Sequence, residues 1–285
     1  MAKFFWNYLR IKPSFAAERL SPIEEALEWQ EWFLGLRRDS LIDAQIKPYN
    51  FIFFAEHDHV YAYPPKIEEA LADLEKRSKY LKTAPDKLPA PLLKLPDNNG
   101  GSITYHGPGQ LVCYLILGIE DLGLTILAID AAVKEVLKNL AIEAYTLEQL
   151  IESSDDKIRE QLLKMEVFAC DAEGKPKTVR FARGIWVVKD GEARKIASRG
   201  LKLTVYQYGP DNNSTAHFTK YGFALNISTD LAYFAHINPC GLPIEMTSVE
   251  QLTGKKHSLP KIAKMLAETL VKKFSELSGE THELI

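Results

Sequence analysis

The run Leu111 to Ile119 is almost unbroken in apolar side chains, and it constrains the fold more than any other stretch of this 285-residue chain. It is far shorter than the roughly 18 residues a membrane helix needs, and no other apolar stretch reaches that length. It also lacks the strict alternation of a half-solvated strand. It reads as a strand buried on both faces. Other segments supply its cover. Residues 21–38 read as an amphipathic helix, with Ser21-Pro22 as cap and first-turn proline and Glu24 three residues after Ser21. Residues 125–140 and 259–274 carry apolar residues at helical spacing. Short strands are expected at 51–54, 184–188 and 222–227. Asp190-Gly191 reads as a hairpin turn, and the return strand starts near Lys195 and reappears at 201–206. Residues 64–97 read as a charged helical piece followed by a proline-rich connector. Residues 146–179 read as a charged surface insertion, and 207–219 as a loop. Strands and helices interleave with hairpins among them. The expectation is one α/β (α+β) domain over 1–285, with a mixed central β-sheet flanked by helices.

Composition narrows the function. The net charge is −3, so the chain is not built to neutralise nucleic-acid phosphates. Cys113, Cys170 and Cys240 are too scattered for a disulfide framework, and no two are spaced as a zinc pair. The N-terminus reaches Asn7, Arg10 and Lys12 before any long apolar core, so neither a signal peptide nor a membrane anchor is expected, and a cytoplasmic location is. No metal and no cofactor is expected.

Three segments carry chemistry. Residues 100–110 hold four glycines and a proline around His106, which lets backbone approach a ligand closely; a structural hairpin loop is the plainer alternative. The glycine spacing matches neither the P-loop nor the dinucleotide fingerprint. Residues 180–202 hold seven basic residues (Arg180, Arg183, Lys189, Arg194, Lys195, Arg199, Lys202) against Asp190 and Glu192, a local charge of +5. That patch either steers an acidic partner or is a solvated strand face. Lys195 differs from the rest, because it heads an apolar strand where its ammonium is partly desolvated. The third segment is Asn238-Pro239-Cys240-Gly241, a tight turn that exposes a thiol. Cys240 is a nucleophile if a cation lowers its pKa, and an incidental loop cysteine otherwise.

Together these segments resemble the lipoyl(octanoyl) transferase family. Its Gly-Gly-x-x-Thr-Tyr-His-Gly-Pro-Gly-Gln is matched by Gly100 to Gln110, and its Lys-Ile/Val-Ala-x-x-Gly-Leu/Ile by Lys195 to Leu201. Its Gly-Phe-Ala-Leu-Asn is matched by Gly222 to Asn226, and its Asn-Pro-Cys-Gly by Asn238 to Gly241. The likeness spans roughly residues 45–250. It implies a biotin/lipoate protein ligase-like fold. It makes Cys240 the acyl-thioester cysteine and Lys195 the lysine that tunes it. It assigns the acyl site to Gly100, Gly101, Ser102, Ile103, Thr104, Tyr105 and His106, to Ser198, Arg199 and Gly200, and to Gly222 and Phe223. Asn99 and Tyr221 stand at the positions of a usual arginine and histidine, and join that site. His217 is close to Tyr221 in sequence and is a candidate to reach back. A further family segment survives only as His57 to Pro64, without its glycine and arginine, and the 146–179 insertion is longer than usual.

The resemblance also implies the reaction. Octanoyl passes from acyl carrier protein through Cys240 to a lysine of lipoyl domains, in 2-oxoacid dehydrogenase E2 subunits and the glycine cleavage H protein. The enzyme acts as a monomer, without ATP, as the first step of endogenous protein lipoylation. Donors to the oxyanion are expected among the backbone N–H groups near Cys240-Gly241, or at Thr104 and His106. The alternatives are an ATP-dependent lipoate or biotin protein ligase, against which the Asn-Pro-Cys-Gly segment argues, and a non-catalytic carrier-binding homologue.

Overall fold

The computed structural model describes residues 3–9, 22–98, 102–119, 121–153, 156–170, 176–178 and 182–285. The chain begins with β1 (Lys3–Leu9), α1 (Ile23–Asp39), β2 (Asn50–Ala55), β3 (Val60–Tyr63), α2 (Glu68–Ala72) and α3 (Leu74–Arg77). Then come β4 (Leu92–Lys94), β5 (Thr104–His106), β6 (Gln110–Ile116) and α4 (Leu122–Asn139). The middle holds β7 (Tyr145–Thr146), α5 (Leu147–Ser153), α6 (Asp156–Lys164), β8 (Phe168–Cys170) and β9 (Pro176–Thr178). The last part holds β10 (Gly184–Lys189), β11 (Glu192–Arg199), β12 (Lys202–Tyr208), β13 (Ser214–Lys220) and β14 (Gly222–Asn226). It ends with α7 (Val249–Thr253), α8 (Leu259–Ser278) and β15 (Glu283–Leu284).

Among the described residues, eight strands form one mixed sheet in the order β15-β1-β2-β6-β14-β11-β10-β7. The pairings of β15 with β1 and of β1 with β2 are parallel, and the others are antiparallel. The long apolar run is β6, buried at all seven positions, as its composition implies. Its side chains alternate. Leu111, Cys113 and Leu115 join the core under α4 and α8, and Val112, Tyr114 and Ile116 join the core under α1. The sheet is thus covered by helices on both faces. Asp121 caps α4 by accepting from the N–H groups of Gly123 and Leu124. The cap expected of Ser21 lies outside the described residues.

Two segments depart from expectation. Residues 207–219 are not a loop. β13 pairs with β12 from Lys202↔Lys220 to Tyr208↔Ser214, and only 209–213 form the turn. The Gly-Pro-Asp-Asn-Asn of the turn lends the whole stretch its loop-like composition. The Thr and Phe positions beyond it are good strand formers, and Phe218 and Thr219 are buried. The strand expected to run on past Lys195 is instead two strands. β11 ends at Arg199, and β12 leaves the large sheet for this separate hairpin. The charged insertion, too, is more than a surface excursion. Leu147, Leu150, Ile151, Ile158 and Leu162 from α5 and α6 pack with Trp186, Ala193, Leu242 and Ile244, and the partly buried Cys240 lies against the same cluster. The Gln161 side chain accepts from Ala193 N–H at 2.8 Å and donates to Ala193 O at 3.3 Å, which satisfies backbone groups of β11.

Candidate active site

Cys240 occupies a single turn, Pro239–Gly241, with φ 62° and ψ 13°. A non-glycine residue in the left-handed region carries strain that its surroundings must hold. Here they do. Cys240 N–H donates to Ile103 O at 3.2 Å, and Gly241 N–H donates to Asn238 O at 2.8 Å. Asn238 is strapped to the preceding lobe: its N–H donates to Tyr80 O at 2.9 Å, and its Nδ2 to Ser78 O and Lys79 O, each at 3.2 Å. Gly241 suits its left-handed backbone (φ 72°), and a Cβ there would also press on the Tyr80 ring at 3.0 Å. The backbone N–H groups of Cys240 and Gly241 are therefore committed, and the sequence expectation that they serve an oxyanion is not met.

Lys195 is placed by a register shift. β10 and β11 pair Ile185 with Ala197 but Trp186 with Lys195, so one extra residue, Ile196, stands in β11. Such bulges re-aim side chains. The Lys195 stem runs over Gly184, where an added Cβ would meet Lys195 Cε at 2.7 Å and Ala197 O at 2.2 Å. The Lys195 backbone is clamped to the segment that follows the cysteine turn. Lys195 N–H donates to Glu245 O and Thr247 N–H to Lys195 O, both at 2.9 Å. The side chain is 1% exposed. Burial pulls its pKa down, negative charge on Cys240 pushes it back up, and Arg199 adds to the lowering. A negative charge on the Cys240 sulfur would thus favour the Lys195 ammonium.

Cys240 lines an apolar slot with a cavity volume of about 80 Å³. Of the residues expected at the acyl site, Ser102, Ile103, Thr104, His106, Ser198, Arg199, Gly200, Tyr221, Gly222 and Phe223 line it. Lys195 and Tyr105 are not in its walls. Tyr105 is fully buried on another side, its hydroxyl 2.7 Å from His59 Nδ1 and its ring stacked on Tyr233 at 4.8 Å. Asn99, Gly100 and Gly101 lie outside the described residues. His217 is exposed on β13 and does not reach the slot. Sequence reasoning missed the far walls: Ile23 and Leu27 of α1, Leu95, and Val112 and Tyr114 of β6. The only signal for α1 was its i, i+4 apolar pair, common to any amphipathic helix.

The polar groups around the slot are mostly fixed. His106 Nδ1 lies 2.6 Å from Gln110 Oε1, and Gln110 Nε2 donates to Asn226 Oδ1 at 2.9 Å. With the amide oriented by that second bond, His106 Nδ1 is the protonated nitrogen. Burial lowers the His106 pKa, against the raising effect of the Gln110 hydrogen bond. Tyr221 stands at positive φ (59°), and its hydroxyl donates to Asp97 Oδ1 at 2.6 Å. Asp97 also pairs with Lys202 and Lys220 at 2.9 Å each. Despite the opposing effect of its burial, these donors hold the Asp97 carboxyl down at about 2. Ser102 Oγ is buried and has no hydrogen-bond partner among the described residues.

The basic stretch 180–202 is not a free patch. Arg183 pairs with Glu148, Arg194 with Glu192 and Glu245, Arg199 with Asp130, and Lys202 with Asp97. Lys189 donates to the Gln251 and Leu252 carbonyls, Lys195 is buried, and Arg180 lies outside the described residues. The charge that looked available for steering a partner is spent internally.

The site thus combines a cysteine turn, a buried lysine and an apolar slot. Residues 96–271 match the lipoyl protein ligase A/B catalytic domain, and the chain belongs to that family. It is 30% identical over 262 residues to an octanoyltransferase of Bacteroides fragilis, covering 88% of this chain and 93% of that one. It is 33% identical over 249 residues to an octanoyltransferase of Bacteroides thetaiotaomicron, covering 85% of each. Among solved structures, lipoate-bound LipL1 of P. falciparum aligns with a TM-score of 0.49 at 11% identity, over 100% of this chain and 66% of that chain. Lipoic-acid-bound Ta0514 of T. acidophilum aligns with a TM-score of 0.48 at 13% identity, over 100% and 88%.

Proposed function

We propose that this chain moves an octanoyl group from acyl carrier protein to a lysine of a lipoyl domain, by way of a thioester on Cys240. The chain is an acyltransferase of the octanoyltransferase kind; the donor, the acceptor and the residue roles follow from its resemblance to that family. The observation that carries the reading is a strained cysteine lining an apolar slot, with a fully buried lysine whose ammonium a negative charge on that sulfur would favour.

The reaction starts from the Cys240 thiolate with the Lys195 ammonium as its counter-charge. The thiolate attacks the carbonyl carbon of the donor thioester. The carbon–sulfur bond to the carrier breaks, and the departing thiolate takes a proton from Lys195. That leaves acyl-Cys240 and a neutral Lys195 amine. Burial favours this neutral form once the thiolate charge is gone. A neutral acceptor lysine then attacks acyl-Cys240 and gives a proton to Lys195, and Cys240 leaves as thiolate. The pair is restored, one thioester has become one amide, and no nucleotide is consumed. The Ser102 hydroxyl, buried at the slot with no partner among the described residues, is the donor we assign to the oxyanion. Acceptors of the class are lipoyl domains of 2-oxoacid dehydrogenase E2 subunits and the glycine cleavage H protein, and the protein works as a cytoplasmic monomer.

The test is acyl transfer to a lipoyl domain from octanoyl-carrier protein without ATP, against free octanoate with ATP. Product from the thioester alone is the expected result. Product only from octanoate plus ATP would establish a ligase instead. Partner binding without product from either would mark a non-catalytic homologue.

A further inference from the structure

The sequence Lys76-Arg77-Ser78-Lys79-Tyr80-Leu81-Lys82 holds four cations and no acid in a chain of net charge −3. It forms the rim of the cysteine turn. Besides the three bonds from Asn238, Lys82 N–H donates to His236 O at 3.0 Å, and Leu81 bridges Ile237. The Lys79 stem lies alongside the turn, its Cε 3.6 Å from where a Cβ on Gly241 would stand. Leu81 points inward and is buried, while Lys79 and Lys82 are exposed. Lys76 pairs with Asp73 at 3.3 Å. Among the described residues, no carboxylate pairs with Arg77, Lys79 or Lys82. They contrast with the 180–202 cations, which are neutralised. Unpaired cations fixed beside a reacting atom attract an anionic partner and speed its encounter.

We propose that Arg77, Lys79 and Lys82 form the docking surface for the acyl donor, an acidic carrier protein whose thioester hangs from a phosphodiester-linked arm. This deepens the reading of Cys240 as acyl acceptor and rests on it. Charge decides between the two protein substrates. The donor brings an anionic arm to the slot mouth, and the rim attracts it. The acceptor brings a lysine ammonium that must lose its charge there, and the rim repels it. The rim therefore belongs to the first half-reaction.

The experiment compares wild type with Lys79→Glu/Lys82→Glu, two exposed side chains outside the catalytic machinery. Circular dichroism and thermal unfolding check that the fold is unchanged. Acylation of Cys240 is followed by mass with two donors, octanoyl-carrier protein and uncharged octanoyl-pantetheine. The expected result is a loss of about tenfold or more in kcat/KM for the carrier and a flatter dependence on salt, with octanoyl-pantetheine within about twofold of wild type. Equal carrier kinetics in the two proteins would overturn the proposal. So would a loss that appears in the KM for the lipoyl-domain acceptor while the donor step is unchanged. Failure of both donors to acylate wild-type Cys240 would instead strike the functional reading itself, and the rim proposal with it.

Discussion

Asp97 shows how one residue holds a site together away from its chemistry. Three donors converge on its carboxylate: the Tyr221 hydroxyl, Lys202 and Lys220. Tyr221 lines the slot, so the cluster fixes one of its walls. The folded-state pKa, about 2, lies below the ordinary value of 3.8. A depressed carboxylate stabilises the fold above the unfolded pKa, and that contribution fades as pH falls through the folded one. Asp97→Asn is therefore expected to cost about 1 kcal/mol near pH 7, allowing for solvent screening. The gap from wild type should narrow as pH falls from about 4 towards about 2. Urea unfolding across that range checks it, and a gap that stays constant or widens in acid would contradict the assignment. The residues proposed to carry the chemistry, Cys240 and Lys195, stand out in the sequence because they sit in motifs whose residue types and spacing few other roles require. Asp97 was not legible. Its three partners come from β12, β13 and the β13–β14 junction, and only the fold brings them together.

At the scale of elements, the helices and the buried strand were readable from periodicity, and the failures have a common cause. β13 was hidden because a five-residue turn dominated the composition of its window. The far wall of the slot was hidden because Ile23 and Leu27 look like any core-facing pair. Yet α1 lies outside the segment that matches the catalytic-domain family, and its Ile23 and Leu27 still line the slot. That placement predicts control over acyl length. Leu27→Ala removes a buried side chain at the slot wall, at a cost of about 2–3 kcal/mol in stability. The space it leaves should shift donor preference from octanoyl towards longer chains. Competition among saturated acyl donors of increasing length measures this. An unchanged octanoyl preference in a folded variant would show that α1 does not set the slot's depth.

For the molecule as a whole, the site is assembled from three distant stretches. β10 and β11 aim Lys195, the 238–241 turn presents Cys240, and the segment at 78–83 straps that turn in place. The insertion packs behind the same turn through Leu242 and Ile244, so its charged outer face conceals a structural role that composition alone did not disclose. The account rests on Cys240 holding the acyl group while Lys195 cycles one proton. Rapid-quench intact-mass analysis with octanoyl-carrier protein, first without and then with a lipoyl domain, tests it most directly. Wild type should gain one octanoyl group, and Cys240→Ala none. Lys195→Met, which replaces a buried ammonium by an apolar chain of similar length, should stay folded and pass through both steps at least about a hundredfold more slowly. An octanoyl adduct that persists in Cys240→Ala, or a Lys195→Met enzyme that turns over like wild type, would contradict the account.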